Sequence, residues 1–439
     1  MSIRSSISQR GQIAQNTQLR IDFEVFFEAI QNLYHPEDNP KGAIPLNIAE
    51  NKLSWHLLSK KFTQIAHTHA IPDWVASYTS AMGAPESRES FAGFMSRFLT
   101  NCPIDPEHLG LSAGATATVE VSSWILGDPG DVAVFPAPCY PVYKQDIGNK
   151  GAIERYDLVT HHELEEIQEE PALEIHHLEK TLEELEGQGK RFRLLILTSP
   201  DNPTGGIYST KKLDTIADWC IRHQIHLVVN EIYGLSLIHT DHPDLQSDYQ
   251  TDIPFSSFAQ IIQAKKSDYL HLWYAMSKDM GASGFRVGVV YSLNQDFLEA
   301  FNNLNAPHMV SNYTQWLFQK ALGDHEFMDH YIQYNQQALT ESYLVVIKAL
   351  RKLNIPYVPA RGSLFVWLDL SAFLSEQTQQ AENELWMDIY QKTGVLLTPG
   401  EGFGHSKKGQ FRLVYSCVSK NDLAEAMKRI EDYIKVERS

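Results

Sequence analysis

The stretch "YAMSKDMGASGFRVGVVY", Tyr274–Tyr291, places one lysine, Lys278, and one arginine, Arg286, between two apolar runs, with Asp279 as the only acid beside them. An amine near the end of a strand can lose its proton and condense with an aldehyde, which a guanidinium does not do. Burial and a neighbouring cation both favour the neutral amine. Arg286 can be that cation, and its planar fork also suits a phosphate. Gly281, Gly284 and Gly288 let the backbone turn tightly and approach a ligand. The bland alternative is a lysine that only caps a strand, and this stretch alone does not separate the two.

Runs of the same kind recur outward from it. "YLHLWYA" (Tyr269–Ala275) and "VGVVYS" (Val287–Ser292) overlap its two ends, and "DVAVFP" (Asp131–Pro136), "RLLILTSP" (Arg193–Pro200) and "HLVVNEIY" (His226–Tyr233) precede it. All are nearly continuous and β-prone, as strands covered on both faces are. "TLEELEGQGK" (Thr181–Lys190) and "KKLDTIADWCIRH" (Lys211–His223) supply intervening helices. The expectation is an α/β fold, with a mostly parallel sheet between helices in a large domain over residues 66–310. Beyond Ser311, long helical stretches mix with "SLFVWLDL", "GVLLTPG" and "QFRLVYS", which reads as a small α+β domain over 311–439. Residues 1–65 should form an arm and part of that small domain, with a helix over "DFEVFFEAIQNLY" (Asp22–Tyr34).

Bulk properties narrow the partners. A net charge of −17 argues against non-specific nucleic-acid binding and against an anionic membrane surface. No apolar run reaches the roughly 20 residues of a membrane span. Cys102, Cys139, Cys220 and Cys417 lack metal-site or disulfide spacing, which fits a reducing, cytoplasmic setting. "MSIRSSISQRGQIAQNTQLR" lacks the apolar core of a secretory signal and is expected to be a disordered or partner-embracing arm. "THHELEEIQEEPALEIHHLEK" (Thr160–Lys180) pairs histidines with acids. Without a scaffold to converge them, it reads as a solvated acidic face rather than a metal site.

Four further motifs fall where strands end. "SAGATATVE" (Ser112–Glu120) opens a helical pattern with small and hydroxyl residues, as an anion cradle requires. "APCYPVY" offers Tyr140 on a proline-stiffened turn, where a ring can stack on a flat heterocycle. "SPDNPTGG" carries Asn202, and "NEIY" carries Asn230 and Tyr233. Open α/β sheets bind ligands at the carboxyl ends of their strands.

Together these motifs resemble the fold-type I pyridoxal-phosphate (PLP) enzymes of the class I/II aminotransferase family, over about Ile44 to Val418. "IAENKL" (Ile48–Leu53) with "SKDMGASGFRVG" is most similar to the branch containing 1-aminocyclopropane-1-carboxylate (ACC) synthases. The resemblance implies an aspartate aminotransferase-like fold, with PLP held as an imine on Lys278, which then moves the proton at the substrate α-carbon. Arg286, Ala115, Thr116 and Ser277 would hold the phosphate, and Tyr140 would stack on the ring. Asn202 and Tyr233 would bond the ring's 3′ oxygen. Arg412 would clamp the α-carboxylate of an amino acid substrate near Glu50. Tyr78 would reach the neighbouring subunit's phosphate, so a homodimer with a shared site is implied.

Two positions depart from the pattern. Ala275 stands where the family often has a serine on the phosphate. Asn230 stands where family members carry an aspartate paired with the pyridinium nitrogen. A carboxylate keeps that nitrogen protonated, and the protonated ring takes up the electrons released at the α-carbon. An amide brings no charge. Transamination is the first expectation. Elimination with cyclisation, as in ACC synthases, and a catalytically silent effector-binding domain remain open beside it.

Overall fold

A computed structural model describes residues 6–17, 20–161, 164 and 170–437. In chain order the strands are β1 (Ile44–Pro45), β2 (Leu109–Ser112), β3 (Val132–Ala137), β4 (Glu154–Val159), β5 (Phe192–Thr198), β6 (His226–Asn230), β7 (Leu270–Ala275), β8 (Gly288–Ser292), β9 (Phe365–Asp369), β10 (Val395–Leu396), β11 (Thr398–Pro399) and β12 (Gln410–Val414).

Seven of them form one sheet in the order β2-β8-β7-β6-β5-β3-β4. Neighbours from β7 to β4 pair in parallel, and β8 runs antiparallel to both β7 and β2. The sheet is therefore mostly parallel, as expected, with one reversed strand. Residues 276–287 return the chain beside the strand it has just left, without a crossover helix, and this reverses β8. Every residue of β6, β7 and β8 is buried, which explains their unbroken apolar runs. The sheet edge β4 is only partly buried and carries Glu154, Arg155 and Asp157, so it lacks the signal that marked the other strands.

Helices cover the sheet for local reasons. Thr210–His223 starts at Ser209, whose side chain accepts from the Lys212 N–H, and ends at Gln224 in the left-handed region. Between these caps, Leu213, Ile216, Ala217 and Cys220 recur at helical spacing and are buried.

A second core forms around the antiparallel sheet β11-β12-β9 and the helices Gln379–Thr393 and Lys420–Glu437. β1 pairs in parallel with β10, Ile44 against Val395, which draws the N-terminal segment into this unit. The 28-residue helix His325–Lys352 joins the two cores. Met328 and Tyr331 pack in the first, and Leu339 to Leu350 in the second.

In the N-terminal stretch, Gln9–Asn16 is a helix without buried residues, and residues 1–5, 18 and 19 lie outside the described ones. Part of the acidic segment, residues 162, 163 and 165–169, also lies outside them. At its end Lys212 pairs with Glu174 at 2.9 Å. No helix among the described residues is long and apolar enough to cross a membrane.

Strand register aligns the carboxyl ends. Thr198 faces Asn230, Asn230 faces Trp273, and Gly288 faces both Ala275 and Ser112. The loops leaving β2, β3, β5, β6 and β7 thus open on one side.

Candidate active site

A cavity of about 280 Å³ lies on that side, walled by both units and by residues 47–50. Lys278 follows β7 in the short turn Met276–Asp279. Asp279 does not pair with it. Its buried carboxylate accepts from the Leu235 N–H at 3.0 Å, the Ser236 hydroxyl at 2.6 Å and the Tyr274 hydroxyl at 3.0 Å, and so anchors the turn. Among the described residues Lys278 makes no ion pair, and its Nζ donates to the Ala49 carbonyl at 2.6 Å. Burial, then Arg412 and Arg286, lower its pKa to about 8 against the pull of Glu50. Gly281, at φ +58°, lets this turn meet the N-terminal segment, because a Cβ there would overlap the Asn51 carbonyl.

Arg286 lies opposite the helix Ala115–Leu126. Gly114, at φ +93°, precedes that helix, and no side chain caps it. A Cβ at Gly114 would overlap the Arg286 guanidinium, so the glycine makes the cradle possible. Arg286 donates to the Ser283 carbonyl at 3.0 Å and has no carboxylate partner among the described residues. Ala115, Thr116, Ser277 and Ser283 line the same end. An uncapped helix N-terminus beside an arginine without a carboxylate partner among the described residues has the donor set that suits a phosphate. Ala275 is fully buried and is not among the lining residues.

Tyr140, Tyr143, Asn202, Asn230 and Tyr233 form the middle of the cavity. The Asn230 Nδ2 donates to the Tyr143 hydroxyl at 2.9 Å, and its Oδ1 accepts from the Ile232 N–H at 3.2 Å. Burial pushes the Tyr233 hydroxyl far above its usual pKa, although Arg412 opposes this.

At the far end, Arg412 of β12 is 2% exposed and has no carboxylate partner among the described residues. Its Nη1 donates to Asn202 Oδ1 at 2.9 Å and its Nη2 to the Asn47 carbonyl at 3.0 Å. The guanidinium lies over the Phe365 and Phe403 rings, 4.5 and 5.4 Å from their centroids. Its Nε is buried without a partner. An unpaired buried cation is costly, and this one is lowered to about 10, first by burial and then by Arg20. Such a group has the chemistry to accept an anion.

The structure therefore brings together Lys278, Arg286, Ala115, Thr116, Tyr140, Asn202, Asn230, Tyr233, Ser277, Arg412 and Glu50. It does not bring Tyr78 to this cavity; that ring is fully exposed. Several lining residues escaped the sequence reading, among them Tyr143, Arg20 and Asp146. Tyr143 sits three positions after Tyr140 in the same motif. Arg20, ion-paired with buried Asp22, belongs to no motif. Asp146 is buried without a side-chain hydrogen bond among the described residues, and burial raises its pKa to about 7.

A lysine of lowered pKa, an uncapped helix N-terminus, a tyrosine-lined middle and two arginines without carboxylate partners among the described residues share one cavity, an arrangement of the kind found in PLP-dependent enzymes. The profile described as "Aminotransferase class I and II" matches residues 41–430, and the chain belongs to that family, whose members are PLP-dependent. It is 30% identical over 417 residues to a 1-aminocyclopropane-1-carboxylate synthase of Glycine max, covering 92% of this chain and 83% of the relative. It is also 30% identical to 1-aminocyclopropane-1-carboxylate synthase 7 of Arabidopsis thaliana, over 92% of this chain and 90% of that one. Among solved structures, an archaeal alanine:glyoxylate aminotransferase superposes with a TM-score of 0.80 at 17% identity, covering 98% of both chains. Aspartate aminotransferase from Thermus thermophilus with maleate superposes with 0.77 at 18% identity, over 98% of this chain and 99% of that one. These two show the fold.

Proposed function

We propose that the protein binds PLP on Lys278 and transforms an α-amino acid at its α-carbon, with transamination as the first reading. The observation that carries it is Arg412, a buried arginine without a counter-ion, in the same cavity as a lysine of lowered pKa. PLP, when bound, supplies the aldehyde that Lys278 attacks and a ring that withdraws electrons from the α-carbon. Arg286, Ser277 and the N–H groups of Ala115 and Thr116 bind its phosphate. Tyr140 supports the ring face, and Asn202 and Tyr233 orient its 3′ oxygen. Arg412 positions the substrate carboxylate, and Lys278, once released, takes and returns the α-proton. Tyr78 serves the partner subunit's site in a homodimer. The chemistry suits a cytoplasmic enzyme, and all four cysteines are free thiols.

A second reading is an ACC synthase-like lyase that eliminates and cyclises a γ-substituted amino acid such as S-adenosylmethionine. It is favoured by the synthases found among the relatives and by Glu50 in the cavity wall. The test is incubation of PLP-loaded protein with an amino acid panel and with S-adenosylmethionine. Transamination yields a 2-oxo acid and the amine form of the cofactor. The lyase consumes S-adenosylmethionine and leaves the cofactor as the aldehyde. If neither substrate class perturbs the cofactor's visible band, both readings fail.

A further inference from the structure

We infer that Asn230 acts as a hydrogen-bond donor to the cofactor's ring nitrogen, which this site holds unprotonated. The inference rests on the reading of the cavity as a PLP site.

The amide's orientation follows from its partners. The Ile232 N–H lies 3.2 Å from one amide atom of Asn230, and a backbone N–H only donates. That atom is therefore the oxygen, turned back on its own backbone two residues along. The nitrogen lies on the other side, 2.9 Å from the Tyr143 hydroxyl. Tyr143 has little freedom to move away. Its ring stacks on Phe135 at 4.8 Å and meets Tyr140 edge-on at 5.3 Å. Its hydroxyl reaches Thr198 Oγ1 at 3.2 Å. With Nδ2–H donating to Tyr143, the tyrosine's own hydrogen goes to Thr198. Nδ2 keeps a second hydrogen, and Asn230 lines the cavity together with Tyr140 and Tyr143.

The charge around the cavity points the same way. Lys278, Arg286, Arg412 and Arg20 all line it, against Glu50 and Asp146. A pyridinium facing the Asn230 amide gains no charge partner from it, and the four cations outnumber the two carboxylates of the lining, which favours the neutral base. A neutral ring withdraws less charge from the α-carbon, and each lost unit of coupling slows proton removal about tenfold.

The experiment is ¹⁵N NMR of the wild-type holoenzyme loaded with PLP labelled at the ring nitrogen. We expect the resonance of a hydrogen-bonded pyridine, unchanged wherever the protein stays folded with pH, and a move to the pyridinium position in Asn230→Asp. A pyridinium resonance in the wild type overturns the inference. If Asp146→Asn then abolishes that resonance, Asp146 is the ring's counter-ion. The wild-type spectrum decides even if a variant misfolds. Borohydride reduction and peptide mapping separate this failure from a deeper one: no label on Lys278 removes the PLP reading itself and this inference with it.

Discussion

An ordinary lysine amine is protonated at neutral pH and attacks nothing. At Lys278, burial with Arg412 and Arg286 nearby brings the pKa to about 8. The attacking form is the neutral amine, so the rate of PLP attachment to the cofactor-free protein should rise about tenfold per pH unit below that value and level off above it. Stopped-flow absorbance checks this, and a flat profile contradicts the assignment. Borohydride trapping should put the pyridoxyl label on Lys278 and on no other lysine. Arg412→Ala removes a buried charge-assisted clamp of about 3 kcal/mol, so amino acid affinity should fall about a hundredfold while PLP still binds. Unchanged affinity in a titration of the visible band would refute the role. Asn230→Asp should speed α-proton exchange into deuterated solvent by about a hundredfold or more, as a regained coupling of at least about two pKa units implies. Unchanged or slower exchange would show that the amide belongs to a working mechanism of its own.

The helix Ala115–Leu126 shows what an element adds to its residues. Small side chains at its start leave the first-turn N–H groups open, and Gly114 lets the Arg286 guanidinium lie against the backbone. Gly114→Ala combines a strained φ of +93° with an overlap on Arg286, so it should weaken PLP binding far more than it alters overall stability. Equilibrium dialysis alongside thermal melting separates the two, and equal losses would mean the glycine only serves the fold. The glycine and the helix start were legible in "SAGATATVE", because strand end, glycine and first turn are adjacent in sequence. The partnership of Tyr143 with Asn230 was not. The two are 87 positions apart, and their contact depends on which strands become neighbours.

At the scale of the molecule, the N-terminal segment closes the site over Lys278, and the second unit inserts Arg412 from above. Tyr78 remains outside, fully exposed, while its neighbours Ser77 and Thr79 are tied to Asn312 at 2.6 and 3.0 Å. A pinned backbone with a free ring suits contact with a second chain. Sedimentation should therefore find a dimer, and Tyr78→Ala should raise the PLP dissociation constant several-fold, or about 1 kcal/mol for one lost hydrogen bond. A monomer that binds PLP as tightly without Tyr78 would refute the shared site.

Local order was written in the chain itself. The continuous apolar runs, the glycine-rich turn after Lys278 and the helix start at Ala115 each depend on residues within a few positions, and the covered parallel sheet follows from the first of these. Tertiary structure alone decided the partners. Arg412 meets Asn202 across 210 positions, Arg20 reaches the cavity from a stretch without a motif, and Asp146 is buried without a mate. Periodicity encodes which face of an element is apolar. It carries no record of which polar side chains meet once strand order and register bring distant elements to one edge.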